Sequence, residues 1–203
     1  MPSKRRYVSP LREQGATRTR ELILRHATEL FAERGYGRVT VADIASAAGV
    51  ASKTVFASVG SKSDILNRII DQGVVASGYE QATAGVLALR TPEKALEALA
   101  HGTRLGNESQ FAVHEAIHKA LPVHEDGEVL WERATAAYRD ALCAVARHLH
   151  TLDPAPRWPV EETADLLWYW FGPLGWRTLV IESGWTWDRA EDVLCRIAVA
   201  SLL

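Results

Sequence analysis

Apolar residues recur at three- and four-residue spacing along most of the chain, and strict alternation of β-branched residues is missing. The pattern predicts an all-α protein. Over residues 19–34, Leu22, Ile23, Ala27, Leu30 and Phe31 form one apolar stripe, and Gly35 follows as a C-cap. Thr40 stands as N-cap before a short helix over 41–47. Ala48-Gly49-Val50 reads as a turn, and a second short helix covers 52–58. Ser61 with Asp64 forms a capping box that opens a long helix over 62–86. Thr91-Pro92-Glu93 opens another, with proline at the first helical position and an acid in the first turn. Further helices are expected over 108–121, 126–150, 160–182 and 187–202, with Gly172-Pro173 kinking or dividing the third of these. Residues 1–16 are polar and basic and hold two prolines, which predicts a disordered arm.

The segment VADIASAAGVASKTVFASVG, residues 41–60, has the spacing of a helix-turn-helix. Ala45 must be small for two helices to approach, and Gly49 supplies a left-handed backbone at the turn. Ile44, Val50 and Val55 would pack the angle. The second helix then presents Ser52, Lys53, Thr54, Ala57 and Ser58 outward: small, polar or basic side chains suited to a major groove.

Charge sharpens this picture. The chain's net charge is only −2, but residues 1–70 hold 12 Lys+Arg against 6 Asp+Glu, while residues 71–203 hold 11 against 19. A basic head on an acidic body implies an anion-binding first third and a different task for the remainder. Cys143 and Cys195 are far apart in apolar helical patterns, which predicts reduced, buried thiols in a cytoplasmic protein. No apolar run approaches the roughly 18 residues of a membrane helix, and no apolar stretch follows the basic N-terminus as a secretory signal would require.

Residues 19–66, with their L-F-A-E-R-G-Y run, the turn A-G-V, T-V-F in the second motif helix and G-S-K opening the next, resemble the DNA-binding domain of the TetR family of transcriptional regulators. Residues 161–203 are similar to the closing helices of many actinobacterial members. The resemblance implies an arm over 1–16, a three-helix DNA-binding domain over 17–66, and a helical ligand-binding and dimerisation domain over 67–203. It implies a homodimeric, ligand-responsive regulator, a repressor by expectation, released from a palindromic operator by a small molecule. It implies no catalysis and no cofactor. Carried over by position, Thr40 would bond a phosphate, and Ser52, Lys53 and Thr54 would meet phosphates and base edges. Phe56 stands where a tyrosine is common, so that hydroxyl contact is lost. Ser58 replaces a common histidine and Val59 a common phenylalanine. Lys62, at a helix N-terminus, would suit a phosphate, and Lys4, Arg5 and Arg6 would reach DNA from the arm.

All seven tryptophans lie beyond residue 130, in the body. Aromatic and polar residues at helical spacing suggest ligand-pocket walls: Phe111, His114 and His118; Trp131 and Tyr138; and Trp168, Phe171 and Trp176 around the Gly172-Pro173 break. The closing helices would form the dimer interface, with Leu194, Ile197 and Leu202 as contacts.

HEAIHKALPVH, residues 114–124, contains H-E-x-x-H and a third histidine at metzincin spacing. His114 and His118 one turn apart, with Glu115 as base, would suit zinc hydrolysis. Against a protease, Leu121 stands where that pattern needs glycine, and Met1 is the only methionine for a Met-turn. A metal-binding sensor, or a metal-dependent hydrolase using His114, Glu115 and His118, remains the alternative. In the preferred reading both histidines are pocket or core groups and Glu115 faces solvent.

Overall fold

The computed structural model describes residues 10–203, and among these it is helical without strands. In chain order the helices are α1 (Pro10–Arg34), α2 (Val41–Ala47), α3 (Ser52–Val59), α4 (Lys62–Ala76), α5 (Tyr79–Leu87), α6 (Pro92–Ser109), α7 (Phe111–Ala120), α8 (Gly127–Leu149), α9 (Val160–Phe171), α10 (Pro173–Arg177) and α11 (Trp187–Leu202). A 3₁₀ turn, Tyr36–Arg38, follows α1, and a π-helical turn, Thr178–Glu182, follows α10.

The chain divides into two compact units. The first comprises Met1–Gln72 with Glu115–Trp131. The domain expected over 17–66 lies within it, but the unit also takes in a later segment that no local pattern announced. Its helices α1, α2 and α3 pack on one another, around Ile23, Ala27, Phe31, Ile44 and Val55, all fully buried. Leu24 is also buried, while Leu22 is only half-buried. The later segment is bound to the same unit by polar contacts. Lys119 Nζ donates to the carbonyls of Ala32 and Glu33, which are among the unsatisfied acceptors at the C-terminal end of α1. His124 Nε2 lies 3.1 Å from Ser63 Oγ, which is 3.1 Å from the Tyr36 hydroxyl.

The second unit comprises Gly73–His114 with Glu132–Leu203. Leu96, Leu142, Leu149, Leu167, Phe171, Trp176, Ala198 and Leu202 form its core. Packing between α6 and α11 is the most extensive helix contact, and its rim is crossed by Arg104–Asp188 and His101–Glu191 pairs at 2.9 and 3.0 Å.

Several expected boundaries move. Residues 10–16, expected in the arm, are the first turns of α1; residues 1–9, with Lys4, Arg5 and Arg6, lie outside the described residues. The long helix expected over 62–86 is two, because Gly78 takes a left-handed backbone (φ 63°). Ser77 seals the end of α4 by bonding the Val74 carbonyl through its Oγ. The helix expected over 160–182 divides at Gly172-Pro173, where the Gly172 backbone is extended. Leu194 and Leu202, expected at a subunit interface, are buried within the protomer; Ile197 is exposed.

Candidate nucleic-acid interface and ligand cavity

The turn of the first unit is built by two reciprocal caps and one glycine. Thr40 Oγ1 accepts from the Asp43 amide at 3.1 Å, and Asp43 Oδ2 accepts from the Thr40 amide at 2.8 Å. Ser61 and Asp64 repeat the arrangement at the start of α4, at 3.2 and 2.8 Å. Hydrogen bonds from these hydroxyls and amides hold both carboxyls below the usual aspartate range. Between α2 and α3, Gly49 adopts φ 65°, and the Val50 amide reaches back to the Ala45 carbonyl at 3.0 Å. Val55 and Val59 anchor α3 inward. The period of the helix then turns Ser52, Lys53, Phe56 and Ala57 to solvent, with Thr54 and Ser58 half-exposed. Phe56 is 56% exposed, an apolar ring on an otherwise polar surface, with no hydroxyl to bond a phosphate.

Two of the expected contacts have other duties. The Thr40 hydroxyl is engaged with Asp43, although the residue itself stays exposed. Lys62 turns inward: its Nζ donates to the Tyr36 and Val39 carbonyls, both at 3.0 Å, and lies 4.2 Å from the Tyr36 ring centroid. Burial pulls its pKa below the ordinary lysine range. A phosphate at Lys62 would compete with two carbonyls already in place.

In the second unit, α5, α6 and α8 enclose a cavity of about 40 Å³. Tyr79 stacks on Tyr138 (4.5 Å between centroids) at one end, and Gly102, Thr103 and Gly106 of α6 form a wall without bulky side chains. Burial raises the Tyr79 hydroxyl to about 12 and Tyr138 higher still, so both are neutral. Tyr138 donates to the Phe171 carbonyl and accepts from Asn107 Nδ2 at 3.1 Å.

Of the expected pocket residues, Tyr138 alone lines this cavity. Phe171 and Trp176 are core, and the Trp176 indole N–H donates to the Phe171 carbonyl at 3.0 Å. Trp168 packs edge-on to Tyr138 at 5.8 Å and under the Arg139 guanidinium. Phe111 packs on Trp187 at 6.0 Å. Phe111 and His114 belong to the second unit, His118 and Trp131 to the first. Tyr79, Thr103 and the glycines, which do line the cavity, lie outside the expected aromatic stripes; the available signal was the run of small residues Ala98, Gly102 and Gly106 at one-turn spacing.

The H-E-x-x-H stretch lies on α7; among the described residues no three His, Cys, Asp or Glu side chains are grouped to hold an ion. His124 is engaged with Ser63 and with the Asp126 amide. Glu115, expected in solvent, is buried, with Lys119 Nζ 3.6 Å away. Burial lowers the His114 pKa to about 4. Its ring is therefore neutral when folded, whereas the unfolded chain protonates below about 6.5. The stability this contributes is complete above pH 6.5 and is lost progressively as pH falls toward 4. Discounted for the ring's partial exposure, the loss is about 2 kcal/mol. Urea unfolding at pH 7 and pH 4.5 is expected to show a steeper pH dependence in the wild type than in His114→Phe.

Comparison with known proteins agrees with the geometry. The family described as "Bacterial regulatory proteins, tetR family" matches residues 23–69, which contain both motif helices. Among solved structures, a putative transcriptional regulator from Saccharomonospora viridis in complex with choline superposes with TM-score 0.73 at 20% identity, covering 92% of this chain and 98% of that one. FadR from Bacillus subtilis, in complex with stearoyl-CoA, gives 0.69 at 15% identity, with coverage of 90% and 99%. The TetR family regulator PfmR from Thermus thermophilus gives 0.63 at 20%, covering 89% and 93%. No curated protein matches the sequence. Residues 23–69 thus match the DNA-binding domain of the TetR family, and along nearly its full length the chain has the fold of these solved structures.

Proposed function

We propose that the chain is a cytoplasmic, homodimeric repressor that binds a palindromic operator and leaves it when a small molecule enters the second unit. The observation that carries this reading is α3, pinned by Val55 and Val59 with Ser52, Lys53 and Phe56 turned outward in a basic segment. Two such helices on a two-fold axis would read successive major grooves about 34 Å apart. The exposed Tyr169 of α9 and Ile197 of α11, 74% and 41% accessible, support a dimer surface on those helices. The Saccharomonospora and Bacillus subtilis relatives carry choline and stearoyl-CoA, which supports control by a bound molecule. Among the described residues no helix is long and apolar enough to cross a membrane.

The test is binding of the purified protein to DNA upstream of its own reading frame, titrated at several salt concentrations against an unrelated duplex. Selective, salt-sensitive binding by a dimer is expected. Lys53→Ala is expected to weaken it about tenfold and to reduce the slope of log affinity against log salt by about 1.8, one phosphate contact being lost from each subunit. Equal affinity for both duplexes would overturn the operator reading.

A further inference from the structure

Resting on the reading of the second unit as the effector-binding body, we infer that its cavity selects an uncharged, mainly apolar molecule carrying a hydrogen-bond donor, such as a hydroxyl or amide N–H. Five hydroxyl-bearing residues line the cavity: Ser77, Tyr79, Thr83, Thr103 and Tyr138. Four of them, Ser77, Thr83, Thr103 and Tyr138, spend their proton on a backbone carbonyl: Val74, Tyr79, Leu99 and Phe171 respectively. A ligand that reaches one of these four oxygens meets a lone pair rather than a proton. Asn107 is not part of the lining but is bonded to two residues that are, Thr103 and Tyr138. It is 3% exposed, and both of its amide protons are engaged, with the Thr103 carbonyl and the Tyr138 oxygen at 2.7 and 3.1 Å. Its Oδ1 is buried without a hydrogen-bond partner. A buried acceptor in that condition favours a donor that reaches it. No ionisable group other than the two neutral tyrosines lines the cavity. An anion would thus meet mainly acceptors and no cation, with the Tyr79 hydroxyl the one proton among the lining hydroxyls not already given to a carbonyl, and an ammonium would find no counter-charge.

The volume, about 40 Å³, exceeds what one water needs but is far below that of a drug-sized ligand. The wall that yields is α5. Val86 is its one buried residue, its N-cap Gly78 makes no side-chain cap, and it packs mainly on α6. Where α5 crosses α6, Gly102 and Gly106 present only backbone; a Cβ added to Gly102 would lie 3.9 Å from Ala82 Cβ. Ligand entry lifts α5 from this smooth surface while Tyr138, tied to Phe171 and Asn107, stays in place.

Four eight-carbon probes on the full chain test the assignment by calorimetry: 1-octanol, 2-octanone, octanoate and octylammonium. The alcohol is expected to bind tightest, the ketone about tenfold weaker for want of a donor, and the two ions weaker still. Gly102→Val is expected to abolish alcohol binding while retaining the wild-type circular dichroism; Thr83→Leu serves if that variant does not fold. Ions binding as well as the alcohol would overturn the neutral assignment, and a ketone equal to the alcohol would overturn the acceptor set. Undiminished alcohol binding in the folded variant would overturn the location. Operator binding is measured on the same preparations. A chain that ranks the probes as expected but binds no DNA would refute the repressor reading and leave the cavity assignment standing; the converse pattern would do the reverse.

Discussion

Val55→Asp abolishes DNA binding and melts the first unit while the second stays folded. Val55 is fully buried at the inner face of α3, and α3 is held by its packing on α1 and α2. A carboxylate there has no buried cation to pair with among its core neighbours Ile23, Phe31 and Ile44. Either it stays charged in an apolar core or it takes a proton, and both routes cost free energy. The loss is about 4 kcal/mol, a large share of the stability of a small domain. The second unit has its own core around Leu96, Leu142 and Phe171, so it should keep its helices and its protected amides. Hydrogen exchange resolved by residue, with gel-shift titration alongside, checks both halves of the claim. Native operator affinity in this variant would mean that α3 is not positioned by the packing described above.

The helix-turn-helix was legible because its determinants are local. Thr40 and Asp43, Ser61 and Asp64, and Gly49 act on residues within four positions of themselves, and periodicity alone marks Ile44 and Val55 as inward. What was not legible depends on distant partners. Nothing near Lys119 in sequence says that it caps α1, which ends 85 positions earlier at Arg34. Nothing near Glu115 says that it is buried. Gly78 sits inside a run of helical periodicity, so its left-handed turn, and with it the separate existence of α5, is invisible to pattern reading. Leu194 and Leu202 looked like interface residues because an apolar stripe on a closing helix reads the same whether it meets its own chain or another. The cavity lies away from most of the aromatics expected as pocket walls for a related reason. Its space comes from what Gly102 and Gly106 lack, whereas the aromatics sought as walls, Phe171 and Trp176, are large enough to be consumed as core.

Lys62 separates a structural cation from a DNA-binding one, and Lys62→Met decides between them. The resemblance implies a phosphate contact; the geometry gives a staple. The ammonium holds the Tyr36 and Val39 carbonyls, at the 3₁₀ turn that leads from α1 into α2, and lies over the Tyr36 ring. Methionine fills the volume of the stem but donates nothing, so two part-buried carbonyls lose a charged partner and the ring loses its cation. Together these cost about 3 kcal/mol. The effect should appear as a lower urea midpoint for the first unit with little change in the salt slope of DNA binding under conditions where the variant is folded. Lys53→Ala should do the opposite, lowering the salt slope and leaving the midpoint nearly unmoved, since Lys53 is exposed on α3. A salt slope that falls by about 1.8, one contact per subunit, in Lys62→Met with an unchanged midpoint would return Lys62 to the phosphate-binding set. The physical point is that an ammonium can complete the carbonyls of a turn or neutralise a phosphate, and two bonds already made at 3.0 Å favour the first.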